Sequence, residues 1–401
     1  MLDIEALRAD TPGCANVTHL NNAGSALPPR VVTDTVVNHL RREEEMGGYE
    51  AHAEAADRVA AVYDSVARLV NAPRERVALV ESATAAWDRG LQAIAFSEDI
   101  EPGDRFLVSA AEYASNVIPL LQLAQRTDSR VEFIPDGADG TVDVEALGHM
   151  LDERVRIVAI THAPSQNGLL NDVVAIGDML RIHGSPAWYI VDACQSAGQI
   201  PLDIGRIGCD VLSATGRKFL RGPRGTGFMV VSQRLLDDVQ PFPLDLHGAT
   251  WVTDQEFAVQ PGARRFESWE KSYAALLGLG AAIDYALELG IDELRARIDV
   301  LAQGLRVRLD EIPGVQVRDR GIERTGIVTI SAPDPQAIVS ALREQGINTS
   351  YSPPDYARHD FAAHGVTGLV RISPHAYNTE ADIDTTVDTL TRLVPAPTPP
   401  S

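Results

Sequence analysis

The sequence predicts an α/β fold in which a mostly parallel, seven-stranded sheet is flanked by helices. Through the first two thirds of the chain, seven short β-rich runs alternate with longer segments of helical periodicity, an alternation typical of such folds. Several of these runs are apolar at nearly every position, as strands buried on both faces are. After about residue 265 the pattern changes to a long helix and shorter mixed elements, which predicts a second, smaller α+β domain.

The predicted elements follow in order along the chain. The strands of the main sheet are predicted at residues 76–82, 104–110, 130–136, 154–163, 188–193, 210–215 and 225–231. Helical patterns lie between them, for example at 117–127 and 174–184, and a long helix is predicted at 272–290. Two strands near 326–331 and 368–373 are expected in the smaller domain.

These elements predict a division of the chain into four parts. An N-terminal segment at 1–20 packs with the small domain, a large domain covers 21–265, a linking helix and the small α+β domain cover 266–393, and a Pro-rich disordered tail covers 394–401.

Composition excludes several classes of function. The chain has 401 residues, 45% of them apolar, and a formal net charge of −21, so we expect a large core and no nucleic-acid partner. It has no apolar run of 18 residues and no signal-peptide pattern, so we expect no membrane segment. Three cysteines without C-x-x-C spacing fit a cytoplasmic protein and argue against disulfides and a metal site.

Asp192 and Lys218 lie where two predicted strands end, and functional groups collect at such ends. Asp192 closes the run YIVD, so it is expected to be partly buried and to need a cationic partner; the alternative is a helix-capping aspartate. Lys218 follows the run DVLSAT beside Arg217. Partial burial next to that charge favours the neutral amine needed for a Schiff base; the alternative is an exposed loop lysine.

Two further features predict anion binding. Ser82, Ala83 and Thr84 follow a predicted strand and open a helix, where backbone N–H groups and a hydroxyl can bind an anion; a simple N-cap is the alternative. Arg371 lies between apolar residues of a predicted strand. Its guanidinium needs a carboxylate, which either a bound amino acid or a structural salt bridge can provide.

Taken together, these motifs resemble a known family. The segment D-A-C-Q-S-A-G, then about twenty residues, then T-G-R-K and G-P-R-G-T-G is similar to class V of the fold-type I pyridoxal-phosphate (PLP) enzymes, the group of cysteine desulfurases, isopenicillin N epimerases, kynureninases and some C–S lyases. The resemblance covers residues 18 to 390. It implies a fold-type I transferase fold, PLP as cofactor, an amino-acid substrate and a homodimer with active sites at the subunit interface.

The resemblance also implies roles for individual residues. Lys218 would hold the cofactor as a Schiff base and Asp192 would bind its ring nitrogen. The other implied cofactor-binding residues are Ala83, Thr84 and Thr215 at the phosphate, Tyr113 stacked on the ring, Ser165 and Gln195 near the phenolic oxygen, Arg217 before the lysine, and Ser268 and Trp269 reaching the phosphate of the neighbouring subunit. Asn22, Ala23 and Arg371 would contact the substrate, and Arg371 would bind the α-carboxylate of the substrate.

Departures from the family pattern bear on the reaction. Arg217 stands where many relatives have histidine, and the segment 350–365 has no cysteine, although a persulfide carrier needs a mobile thiolate there. We therefore expect the chain not to be a persulfide-forming cysteine desulfurase. The segment 43–52 and the amino-acid sequences of the Lys218 and Arg371 motifs most resemble the C–S lyase branch, which includes hercynylcysteine sulfoxide lyase.

The preferred hypothesis is therefore a PLP-dependent C–S lyase that eliminates the sulfur substituent from an S-substituted cysteine or its sulfoxide. Epimerisation and transamination are the alternatives within the family. A silent PLP domain acting as a sensor would carry an N-terminal DNA-binding helix-turn-helix, for which we see no room before residue 18. A nicotinamide-dependent dehydrogenase would carry G-x-G-x-x-G after the first strand, and it is missing here.

Overall fold

The computed structural model describes residues 2–394. Its strands are β1 (Thr18–His19), β2 (Val77–Val80), β3 (Arg105–Val108), β4 (Arg130–Phe133), β5 (Val155–Thr161), β6 (Trp188–Asp192), β7 (Val211–Thr215), β8 (Gly227–Val231), β9 (Ala249–Thr253), β10 (Glu256–Val259), β11 (Gln316–Val317), β12 (Val328–Ser331), β13 (Ile347–Asn348), β14 (Ser350–Ser352) and β15 (Leu369–Ile372).

The helices alternate with these strands through the large sheet. They are α1 (Ile4–Ala9), α2 (Arg30–Met46), α3 (Gly48–Glu54), α4 (Ala56–Leu69), α5 (Ala83–Ser97), α6 (Ala114–Thr127), α7 (Val144–Met150), α8 (Val173–Ile182), α9 (Ile204–Ile207), α10 (Gln233–Asp238), α11 (Tyr273–Leu289), α12 (Ile291–Asp310), α13 (Pro335–Glu344), α14 (Arg358–Ala363) and α15 (Glu380–Leu393).

Within residues 2–394 the main sheet has seven strands in the order β2-β8-β7-β6-β5-β3-β4. Strand β8 is antiparallel to both of its neighbours, and the pairs from β7 across to β4 are parallel. The predicted fold class is therefore confirmed, and each of the seven predicted strands has its counterpart. The parallel strands place their carboxyl ends at one edge of the sheet.

The apolar strands are continuous because helices cover both faces of the sheet. Side chains point alternately to opposite faces of a strand. Leu212 therefore packs in the core that faces α8 and α11, whereas its neighbour Val211 packs in the core that faces α5 and α6. Both side chains are fully buried.

A second sheet in the described chain has the order β11-β12-β15-β14, and all of its pairs are antiparallel. It includes the two strands predicted near 326–331 and 368–373. The N-terminal strand β1 pairs in parallel with β13, so residues 18–19 lie beside this part of the chain. The division at residue 265 stays a prediction, with one sheet on either side of it.

Two features differ from the sequence-based expectations. Val394, which was expected in the disordered tail, is buried in the core of the second sheet, and the rest of that tail lies outside the described residues. The hairpin of β9 and β10 was not predicted, because its side chains are mostly exposed and give no apolar run.

Among the described residues, no single helix is long and apolar enough to cross a membrane. Helices α11 and α12 meet that criterion together by length and composition, with a bend of 79° between them.

Candidate active site

The carboxyl ends of the parallel strands open on a cavity of about 590 Å³, the place where such sheets bind ligands. The predicted residues that line it are Ala23, Ala83, Thr84, Tyr113, Ser165, Asp192, Gln195, Thr215, Arg217, Lys218 and Arg371. They come from strands and loops of both sheets. The fold thus gathers into one cavity residues that are up to 348 positions apart, from Ala23 to Arg371.

Asp192 is the last residue of β6, and its side chain is buried. Its Oδ1 accepts a hydrogen bond from the Cys194 backbone at 2.8 Å, and its Oδ2 accepts one from Asn116 Nδ2 at 3.0 Å. No lysine or arginine of the described chain forms a salt bridge with it within 4.0 Å. A buried carboxylate fixed by neutral donors is suited to bind a cationic ligand group.

Lys218 follows β7 and lines the cavity as a half-buried side chain. Burial lowers its pKa most; Cys194 and Asp192 oppose this effect, and Arg217 and Arg371 add to it. A lowered pKa increases the share of neutral amine, which is the nucleophilic form. The chain contains one other lysine, Lys271, and that side chain is paired with Glu267 away from the cavity.

An anion site lies at the start of helix α5, which has 15 residues. Ser82 caps the helix by accepting from the Ala85 backbone at 3.0 Å, so the N-cap alternative holds for Ser82, while Ala83 and Thr84 also line the cavity. The helix start can approach the sheet because Gly227 faces it: a Cβ there would lie 2.8 Å from the Ser82 carbonyl carbon. Such a helix start binds phosphate groups.

Thr215 and Arg217 complete this end of the cavity. Arg217 Nη1 donates to Thr215 Oγ1 at 3.3 Å, and Thr215 Oγ1 donates to the Thr226 carbonyl at 3.2 Å. The half-buried Arg217 therefore brings a positive charge to the same end of the cavity as the helix start.

Arg371 lies in β15 with its side chain buried. It donates to the Ser165 carbonyl at 3.4 Å and to Asn21 Oδ1 at 3.3 Å, whereas its Nε has no partner in the described chain. Burial lowers its pKa to about 10, so the group is still cationic at neutral pH. No acidic side chain of residues 2–394 forms a salt bridge with it, which argues against the structural alternative and leaves its charge for a ligand.

Tyr113, Ser165 and Gln195 line the middle of the cavity. The Tyr113 ring lies 5.8 Å from that of Tyr356, and burial raises the Tyr113 pKa. Ser165 Oγ donates to Gln166 Oε1 at 2.8 Å. Gln195 Nε2 donates to the Ala23 carbonyl at 3.1 Å, but its buried Oε1 has no partner among the described residues. An orphaned polar atom in a cavity wall marks a place for a polar ligand group.

Comparison with known proteins agrees with this geometry. Residues 18–386 match the family model described as aminotransferase class-V. The chain belongs to the aminotransferase class-V family. It is 28% identical to a probable cysteine desulfurase of Streptomyces coelicolor, over 97% of each chain.

Two solved structures share the fold of this class-V enzyme. The apo structure of a cysteine desulfurase from Thermococcus onnurineus NA1 has a TM-score of 0.90 with 21% identity, covering 98% of both chains. A C-DES variant with glycine covalently linked to its PLP cofactor has a TM-score of 0.85 with 23% identity, covering 98% of this chain and 99% of that one. The fold-type I prediction is confirmed.

Family membership makes this class-V protein a PLP enzyme, and its cavity fits that cofactor. A buried carboxylate for the ring nitrogen, a half-buried lysine and an anion site at the start of α5 lie around one cavity. The orphaned Gln195 Oε1 adds an unsatisfied polar group beside them. Asp192, Lys218, Thr84 and Arg217 are the residues that would hold it.

One expectation about the reaction is wrong. We expected from the segment 350–365 that the chain is not a persulfide-forming cysteine desulfurase. The curated relatives that match nearly its whole length are named cysteine desulfurases, at 27–28% identity in the first three. The absence of a cysteine from that one segment therefore does not exclude the activity, and the preference for the lyase, epimerase or aminotransferase alternatives falls with it.

Three predicted residues lie outside this class-V cavity. The Asn22 side chain is buried and used internally, since it donates to the Ser373 carbonyl at 2.7 Å and accepts from Tyr377; its neighbour Asn21 lines the cavity instead. Ser268 and Trp269 also do not line it. Ser268 accepts from Arg89 at 3.0 Å, and the Trp269 side chain is exposed. Their predicted reach to a neighbouring subunit stays a prediction.

Several residues of the site were not predicted. Asn21, Asn116, Cys194, Ser350 and Tyr356 line the cavity as well. Asn116 follows the predicted strand at 104–110, so the rule that places functional groups after strand ends would have pointed to it. Tyr356 had no comparable signal, because its position depends on how the second sheet packs against the first.

One cluster of possible metal ligands occurs among residues 2–394, formed by Asp136, Asp360 and His364. Arg320 contacts all three side chains. A guanidinium of the chain itself therefore balances this cluster, which lies outside the cavity.

Proposed function

We propose that this class-V enzyme is a PLP-dependent cysteine desulfurase, which breaks the Cβ–S bond of L-cysteine and leaves alanine. The observation that carries the proposal is the buried Arg371, whose guanidinium lies in the same cavity as Lys218 and Asp192 without an acidic partner in the described chain. The relatives named cysteine desulfurases supply the reaction.

Each of these side chains has a defined task. Arg371 binds the substrate α-carboxylate and so orients Cα. Lys218, with its lowered pKa, moves the Cα proton. Asp192 holds the proton on the ring nitrogen of the cofactor, which when bound supplies the electron sink for these steps.

The sulfur needs a thiol acceptor. Cys194 is the cysteine that lines the cavity; Cys14 and Cys209 do not. Burial raises the Cys194 pKa to about 12, with a further contribution from the Asp192 charge. Cys194 is therefore a thiol rather than a nucleophilic thiolate at neutral pH. For this reason the assay contains a small thiol that can act as the sulfur acceptor.

The test is to give the purified holoenzyme L-cysteine with dithiothreitol and to measure alanine and sulfide. Equal amounts of both products are expected, and Lys218→Ala should form neither. A Cys194→Ser variant measures how much of the sulfur passes through that thiol.

A second set of substrates tests the narrower resemblance to the C–S lyase branch. The enzyme is given S-substituted cysteines and their sulfoxides, and pyruvate and ammonia are measured. Turnover of these compounds with no alanine from L-cysteine would overturn the desulfurase proposal and favour the lyase branch.

We also propose a homodimer. Large apolar side chains are exposed around the β9–β10 hairpin and the segment 266–270, among them Leu246, Trp251, Phe257 and Trp269, which are 53–71% exposed. Exposed apolar patches mark interaction sites. This patch includes Trp269, which, with Ser268, the family resemblance implies to reach the phosphate of the neighbouring subunit. Trp251→Asp should lower the sedimentation coefficient, whereas Ile182→Asp, at a site 75% exposed elsewhere, should not. A fully active monomer would overturn the proposal.

A further inference from the structure

A carboxylic acid that the sequence analysis did not identify lies behind Asp192. Glu112 follows β3, directly before Tyr113, and its side chain is buried. Its Oε2 accepts from Ser109 Oγ at 2.5 Å and from the Thr161 backbone N–H at 2.8 Å. Its Oε1 accepts from the Thr161 hydroxyl and from Asn116 Nδ2 at 2.8 Å.

Asn116 joins this acid to Asp192. Its Nδ2 lies 2.8 Å from Glu112 Oε1 and 3.0 Å from Asp192 Oδ2. A side-chain amide nitrogen carries two hydrogens, so each carboxylate receives one of them. Since the other Asp192 oxygen accepts from the Cys194 backbone, the Asp192 carboxylate is held at both oxygens, and one of those bonds depends on how the Asn116 amide is turned.

We propose that Glu112 is a positioning residue for the cofactor: acting through Asn116, it fixes the Asp192 carboxylate and thereby holds the proton on the cofactor ring nitrogen. The proposal concerns cofactor binding by this class-V enzyme, so it does not depend on which amino acid is the substrate.

The electrostatics support the geometry. Burial raises the Glu112 pKa to about 7; the hydrogen bonds from Ser109, Thr161 and Asn116 lower it, and the Asp192 charge raises it. The two carboxyl groups therefore interact. Asn116, which donates one hydrogen to each carboxyl group, is the contact between them, so the orientation of its amide depends on Glu112.

Glu112→Gln tests this link because the NH2 group of the glutamine amide faces another hydrogen-bond donor in either orientation. If its NH2 group took the Oε2 position, it would face the Thr161 backbone N–H, which cannot turn away. It must then take the Oε1 position and face Asn116. The Asn116 amide then has to rotate, which turns its oxygen toward Asp192 and breaks the hydrogen bond between Asn116 and Asp192.

The experiment uses holoenzyme loaded with PLP that carries a magnetic nitrogen isotope in the ring, and follows the ring-nitrogen chemical shift by NMR as a function of pH. Glu112→Gln should lower the proton affinity of this nitrogen by roughly tenfold, about one pH unit, because the Asp192 carboxylate, once released by Asn116, is no longer fixed in position for the ring nitrogen. Asn116→Ala should lower it in the same direction. The double variant should shift no further than Asn116→Ala alone, because Glu112 acts through Asn116.

Asp319→Asn is the matched control for lost stability. Asp319 is also a buried carboxylate that accepts from the backbone N–H and hydroxyl of one threonine, at 2.8 and 2.7 Å, but it lies beside the second sheet. The Asp319→Asn substitution should destabilise the protein without changing the pH dependence of the ring-nitrogen chemical shift. If Glu112→Gln does not fold, Asn116→Ala decides the question. An unchanged titration in Asn116→Ala, or additive shifts in the double variant, would overturn the proposal.

Discussion

Arg371 Nη1 donates a hydrogen bond to the backbone carbonyl of Ser165 at 3.4 Å, joining a strand of the second sheet to a loop of the main sheet. Together with the bond from Nη2 to Asn21, this contact fixes the guanidinium through neutral oxygen acceptors. The side chain is therefore oriented before a ligand arrives, and its positive charge is uncompensated in the described chain.

Arg371→Gln should raise KM for the amino-acid substrate by about ten- to a hundredfold, because a charge-assisted hydrogen bond contributes roughly 1.5–3 kcal/mol. The KM of Arg371→Lys should lie between that of the parent enzyme and that of Arg371→Gln, since lysine keeps the charge but lacks the planar guanidinium that binds a carboxylate through two hydrogen bonds. Steady-state kinetics measure both. Binding of an amine without a carboxylate, such as cysteamine, should be unchanged. An unaltered KM for L-cysteine in Arg371→Gln would contradict the assignment.

Lys218→Ala should abolish the covalent attachment of the cofactor. Lys218 and Lys271 are the two lysines of the chain, so borohydride reduction followed by peptide mass spectrometry has two possible outcomes. The reduced adduct is expected on the Lys218 peptide of the parent and on no peptide of the variant. Lys271→Arg, which keeps the charge beside Glu267, should retain the adduct; an adduct at Lys271 would refute the prediction.

His375 should make the fold sensitive to acid. Its Nδ1 accepts from the Ala376 backbone N–H at 2.8 Å, and its Nε2 lies 3.0 Å from the Phe219 carbonyl, so the neutral ring satisfies both contacts and a second N–H would face another donor. Burial lowers its pKa to about 3, and the Arg221 charge adds to this.

The sign of the effect follows from these values. The folded-state pKa lies below the unfolded value of about 6.5, so the stabilisation is fully present above pH 6.5 and is lost as the pH falls toward 3. The loss is about 1.4 kcal/mol per pH unit. Thermal unfolding between pH 7 and 4 should show a shallower loss in His375→Gln than in the parent. His149→Gln, at a side chain 80% exposed, should follow the parent, and an equal slope in all three would rule out this role.

The ion pair of Arg306 and Asp319 should be critical for stability. Both side chains are buried, Arg306 Nε lies 2.7 Å from Asp319 Oδ2, and the same guanidinium donates to the carbonyls of Thr325 and Ile327. Asp319→Asn leaves a buried cation without its counter-charge and should cost about 3–5 kcal/mol. Asp384→Asn removes the partner of the more exposed Arg308 and should cost under about 1 kcal/mol. Thermal unfolding distinguishes the two, and equal losses would contradict the prediction.

The main sheet was predictable because its strands are buried on both faces. Runs such as Val77–Val80 are apolar whichever way a side chain points, so the pattern in the sequence is continuous. Short edge elements such as β11 and β14 have two and three residues, which is too few for a periodicity to emerge. Their pairing is decided by distant strands.

The site was predictable where a residue follows a strand and not where it depends on long-range contact. Asp192 ends β6, and Lys218 follows the neighbouring strand β7. The position of Asn116 after a strand indicates the cavity, but its contact with Asp192 spans 76 residues, and nothing near Asn116 in the sequence specifies that partner. Asn22 and Asn21 are adjacent in the sequence, and only the backbone direction after β1 decides which side chain faces the cavity.

The pairing of the N-terminal segment sets an order of assembly during synthesis. Asn21 and residues 23–25 contribute to the cavity wall, yet the Asn22 side chain binds the carbonyl of a residue 351 positions later, and β1 pairs with β13. The ribosome adds about 5–20 residues per second, so β1 and Asn22 stay unpaired until β13 and Ser373, near the end of the chain, have been synthesised. The main sheet can form earlier, but the catalytic cavity closes last, so a nascent chain that stops before Ser373 carries Lys218 and Asp192 without a completed site around them.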